Sequence, residues 1–134
     1  MRKSYIDLNG AWGILLCFDY DRHDIGEMRS IMESFGMTEY DIIEAIDVLG
    51  HYNTGMAISD EKITMSVMFV SPATDLGQFM DSIAHEIDHV QDAIIRFYDV
   101  MPGTEDAAWT QGYMMRIITR ILKSEGFLCE CGQG

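Results

Sequence analysis

His85-Glu86-Ile87-Asp88-His89 sets two imidazoles four residues apart, with a carboxylate beside the first. An α-helix carries 3.6 residues per turn, so positions i and i+4 share a face. His85 and His89 can therefore turn a ring nitrogen toward one metal ion. Glu86, one position along, points beside that ion, where it can take a proton from a water that the metal activates. A metallohydrolase needs that division of labour. The chain has only four His, and finding two of them at this spacing around a Glu makes metal binding the first expectation and hydrolysis the second.

A helix must hold these groups, and the sequence around them supplies one. Phe79, Ile83, Ile87, Val90, Ile94 and Phe97 recur every three or four residues and form a continuous apolar stripe. His85, His89 and Asp92 fall off that stripe, so one side can be buried while the other presents a site. Thr74 or Asp75 is the expected N-cap, and Met101-Pro102-Gly103 the break after an end near Asp99.

The remaining elements follow from the same signals. Residues 1–10 read as a polar lead-in ending in the Asn9-Gly10 turn, and Ala11 to Tyr20 as a buried strand. Ile25, Met28, Ile31, Met32 and Phe35 carry a helical stripe closed by Gly36. Thr38-x-x-Asp41 opens a second helix whose core face is Ile42, Ile43, Ile46 and Leu49, ended by Gly50. Thr54 to Ser59 and Ile63 to Val70 read as strands about a tip at Asp60-Glu61-Lys62. A last helix is expected from Glu105 to about Ser124, capped by Thr104 and stopped by Gly126. Its apolar positions include Ala108, Trp109, Met115, Ile118, Ile121 and Leu122. The expected class is α+β: one small domain, with a short antiparallel or mixed sheet packed on the His85–His89 helix and the helix after it.

Composition excludes several functions. A chain of 134 residues, 48% hydrophobic and 23% charged, suits one globular domain with a single core. The net charge of −13 repels phosphates and anionic lipid, so neither nucleic acid nor membrane is an expected partner. The apolar run Trp12 to Phe18 is far too short for a bilayer. It ends in Asp19-Tyr20-Asp21-Arg22 without a cleavage signal, so a cytoplasmic protein is expected. Cys17, Cys129 and Cys131 do not make a disulfide framework. Cys17 reads as a buried thiol, and Cys129-x-Cys131 lacks the second pair of a four-ligand site.

The motif, followed by Glu105-x-x-Ala108-Trp109-x-x-Gly112-Tyr113, resembles the zincin metallopeptidases of the gluzincin type. It also resembles small phage- and prophage-encoded proteins that pair a His-Glu-x-x-His helix with a Glu-x-x-Ala-aromatic helix. The resemblance covers roughly residues 54 to 123. It implies one zinc ion held by His85, His89 and Glu105, with Glu86 as general base in hydrolysis of a peptide, and with Ala108 allowing the two helices to approach. Tyr113 and His51 are candidate oxyanion or substrate contacts.

Geometry leaves the third ligand open. A straight helix to Asp99 ends ~15 Å beyond His89, and a tight antiparallel return would put Tyr113 or Arg116 beside the His pair. Asp92, one turn after His89, is the alternative ligand or a partner to an imidazole. A peptide or protein substrate is the expected partner, with self-association possible for so small a chain. The competing expectation is a phage-encoded binding or assembly protein, a virion component or an inhibitor of a host factor, that keeps the fold without catalysis.

Overall fold

The structure, a computed structural model, describes residues 1–99, 104–124 and 126, and among these the side chains of all but 106 and 107. The expected break at Met101-Pro102-Gly103 and the pair Cys129 and Cys131 lie outside the described residues. Among the described residues, four strands, β1 (Arg2–Asp7), β2 (Gly13–Phe18), β3 (Gly55–Asp60) and β4 (Met65–Val70), come in two pairs, each followed by a pair of α-helices. The helices are α1 (Ile25–Ser34), α2 (Glu39–Leu49), α3 (Leu76–Phe97) and α4 (Glu105–Ser124). The sheet is mixed and ordered β1-β2-β4-β3. β2 and β4 run parallel in its centre, and each has an antiparallel neighbour at the edge. The α+β class read from the sequence is what the chain adopts.

Period-two alternation sorts the strand side chains onto two covered faces. Ile14, Leu16, Phe18, Met68 and Val70 meet Phe79, Ile83, Ile87, Val90 and Ile94 of α3 and Met114, Ile118 and Leu122 of α4. From the other face, Cys17, Val67 and Phe69 meet Met28 and Met32 of α1 and Ile42, Ala45 and Leu49 of α2. The result is three layers, helix pair on sheet on helix pair. Cys17 is sealed in the second core, and burial pushes its thiol up to about 12. That thiol is inert at neutral pH.

The helix boundaries follow from their caps. The Thr38 hydroxyl accepts from the Asp41 N–H, and the Asp75 carboxylate from the Gln78 N–H at 2.8 Å. Gly36 and Gly126 take the left-handed backbone that closes α1 and α4. Four expectations need correction. Residues 2–7 are not a lead-in but an edge strand, hidden from sequence reading because only Ile6 in it is buried. Ile43 is 55% exposed, and Ala45 takes its place toward the sheet. In α4 the core position is Met114 rather than Met115, and Trp109 is 71% exposed. Phe97, although on the stripe, is exposed where it meets Trp12 edge-on at 5.7 Å.

One polar thread crosses the α3 face of the sheet. Trp12 Nε1 donates to Ser66 Oγ at 2.9 Å, and Ser66 Oγ lies 2.6 Å from Ser59 Oγ. Both Trp12 and Ser66 are buried. Ser66→Ala removes the acceptor and strands a buried indole N–H, which is expected to cost about 1–3 kcal/mol. A lowered urea midpoint with unchanged slope is the reading that checks it.

Candidate metal centre

His85 and His89 lie on the exposed flank of α3, as their place off the apolar stripe requires. Their rings meet edge to face, with centroids 4.8 Å apart, and the two Nε2 atoms are 3.2 Å apart. Two nitrogens each about 2.0–2.1 Å from a tetrahedral zinc stand about 3.3–3.4 Å from each other. The pair is therefore spaced as a metal would need it. The same spacing also allows an N–H···N hydrogen bond between neutral rings, since one can donate and the other accept. Two protonated rings would repel.

Glu86, one position on from His85, turns from the exposed flank toward β3 and is only 3% exposed. Burial pushes its carboxyl above the ordinary range, and His85 and His89 pull it partly back. It fits because the strand beside it has no side chain at that point. A Cβ at Gly55 would come within 3.0 Å of Glu86 Cγ and Oε2 and 3.1 Å of the Phe69 carbonyl oxygen. The approach of β3 to α3 is fixed by their entry loops. Asn53 receives the Thr74 N–H on its side-chain oxygen at 3.0 Å and donates its own N–H to the Pro72 carbonyl at 3.0 Å. Ser71 and Thr54 bond to one another next to it.

Alanine in a strand ordinarily gains roughly 0.5–1 kcal/mol over glycine. At Gly55 the sign reverses, because the carbonyl of Phe69 belongs to the central strand and cannot yield. Gly55→Ala is expected to lose about 1–3 kcal/mol by overpacking, measured as a lower denaturation midpoint. It also displaces the Glu86 carboxylate from its place beside the imidazoles.

A cleft of about 760 Å³ opens over these groups. His85, Glu86, His89 and Arg96 of α3 form one wall, and β3 with the hairpin residues Asp60, Glu61 and Lys62 forms the other. β3 is an edge strand, so one side of its backbone is not paired within the sheet. A second opening reaches Glu86 from the far side, past Thr54, Gln78 and Asp81. The carboxylate is thus buried yet approached from two directions.

The other sequence candidates are placed elsewhere. Glu105 begins α4 and lines a separate cavity with Trp109, Gly112, Tyr113 and Arg116. α3 continues eight residues past His89, about 12 Å, and ends at Phe97. Tyr113 lies under the Arg116 guanidinium, 5.6 Å away, and Ala108 is exposed. His51 borders a cavity between α1 and α2, and Asp92 is exposed on α3 outside the cleft. Among the described residues no three His, Cys, Asp or Glu side chains stand together as a metal cage. Sequence reading missed Gly55, Asp60, Glu61 and Asp81. Nothing local marks them, since their relevance comes from folding β3 and the preceding turn of α3 against the motif.

No family model matches the chain, and no curated protein or solved structure matches it either.

Proposed function

We propose that this protein is a zinc-dependent hydrolase acting on peptides, with His85 and His89 as metal donors and Glu86 as general base. The observation that carries the reading is the 3.2 Å convergence of the two Nε2 atoms next to a buried carboxylate at the floor of a cleft. Zinc bound there supplies a Lewis acid that lowers the pKa of water and polarises a carbonyl. Glu86, held above its usual range by burial, accepts the proton from the attacking water and returns it to the leaving amine. The cleft along the free edge of β3 suits an extended chain, whose amides can pair with that edge while side chains fall alternately in and out. Lys62 and Arg96, at the cleft walls, offer cationic contacts to a substrate.

Glu105 is the third donor that the resemblance implies. Asp60 and Glu61 are the carboxylates that share the cleft with the His pair. Zinc content in Glu105→Ala and in Asp60→Ala/Glu61→Ala assigns the role to whichever loses the metal.

The deciding experiment measures zinc stoichiometry in purified protein and cleavage of a peptide library by wild type and Glu86→Gln. One zinc per chain with cleavage that depends on Glu86 is the expected result. Stoichiometric zinc without such cleavage moves the reading to a non-catalytic binding or assembly protein. No zinc at all ends the proposal.

A further inference from the structure

Two helices carry opposite charge in this acidic chain. α2 contains four acids, Glu39, Asp41, Glu44 and Asp47, and no Lys, Arg or His. Arg29 of α1 takes Glu39, and Asp41, Glu44 and Asp47 stand exposed. From residue 107 on, α4 is the reverse. Three of the chain's nine Lys and Arg, at Arg116, Arg120 and Lys123, follow one another at helical spacing with no acid between residues 107 and 124. All three are exposed.

Each charged face also carries apolar surface. On α2, Tyr40 is 70% and Ile43 55% exposed, within two turns of Glu44 and Asp47. On α4, the exposed Trp109 precedes Arg116 by two turns. Beside it Gly112 has no side chain, and a cavity of about 350 Å³ opens among Trp109, Gly112, Tyr113 and Arg116. A Trp and an Arg around a small cavity are the make-up of an interface anchor. The spacings of the two faces agree. Tyr40, Glu44 and Asp47 follow at steps of four and three residues, and Gly112, Arg116 and Arg120 at steps of four and four, so each set forms one stripe. The stripes lie on opposite sides of the molecule, since α2 packs on one face of the sheet and α4 on the other. One copy cannot join its own pair, whereas two copies can.

We propose that the chain associates with itself head to tail, the α2 stripe of one copy on the α4 stripe of the next. Tyr40 enters the cavity beside Trp109, and Glu44 and Asp47 meet Arg116 and Arg120. Such an interface is heterologous, so growth does not stop at a symmetric pair. The net charge of −13 opposes approach at long range, and salt near about 0.1 M, with a Debye length of about 10 Å, screens that repulsion more than it screens charges in contact. The test is sedimentation velocity of the full chain at that salt, in chelator so that the metal centre plays no part. Two helix faces make a small interface, so half-association is expected near roughly 100 µM. Trp109→Ala is expected to weaken association by roughly 10-fold or more, and Glu44→Lys/Asp47→Lys to abolish it. All three positions are exposed, and circular dichroism checks that both variants fold. Mixed together, the two variants retain one intact pair of stripes, α2 of the first and α4 of the second. They are expected to form a 1:1 complex that grows no further. The proposal is overturned by a wild type that stays monomeric up to about 1 mM, by a folded variant that associates as the wild type does, or by a mixture without the 1:1 complex.

Discussion

Glu86→Gln is expected to give a protein that melts higher than wild type in the absence of metal and no longer cleaves peptide. Under the proposed function, the catalytic loss follows from removing the carboxylate assigned to move the proton, a contribution of about 10²–10⁴-fold. The gain in stability has a separate cause. Burial raises the Glu86 carboxyl above the value it has in the unfolded chain, with the two histidines opposing. Between those two values the folded state holds more protons than the unfolded state. Stability therefore falls as pH rises through that window, and the full penalty persists above it. Glutamine has the same shape and no charge to bury, so it escapes the penalty. Thermal melts in chelator should show the variant higher by a few degrees at neutral pH. The two proteins should converge once the pH is below the ordinary carboxyl range. A variant that melts lower than wild type at neutral pH would contradict the burial argument.

The second large effect belongs to the His pair. Zinc that binds only the folded chain stabilises it by about 2.7 kcal/mol at a free concentration 100 times the dissociation constant. For a domain of this size that is roughly 8 °C in Tm. His89→Ala leaves one imidazole on an exposed helix flank, and the zinc-dependent rise should vanish. Its melting point in chelator should stay near that of wild type, because His89 fills no core position. The two measurements separate loss of metal from loss of fold. A zinc-dependent rise that survives in His89→Ala would remove this side chain from the proposed site.

These two effects meet in one stretch of helix because its two flanks have opposite surroundings. The imidazoles stand in the open cleft and converge on each other, whereas the carboxylate between them is pressed against a strand. Water and a carbonyl can reach the first, and only a group without a Cβ can sit against the second. Gly55 therefore positions Glu86 by making room for it.

What the amino-acid order alone determined is what depends on neighbours within a turn or two. The spacing of His85, Glu86 and His89 puts the imidazoles on one flank of α3, and the apolar stripe from Phe79 to Ile94 buries the other. Thr38 and Asp75 cap their helices through bonds to residues three positions on. Such features follow from helical periodicity, which any window of the chain carries in itself. Only the tertiary structure decided which strand lies against Glu86, that residues 2–7 pair with β2, and that Glu105 opens onto a different cavity from the His pair. It also decided that Tyr20, His51 and Pro72 meet at one end of the sheet. These positions are set by the parallel pairing of β2 with β4 and by the length of α3. Contacts between residues far apart in the chain leave no period behind to be read.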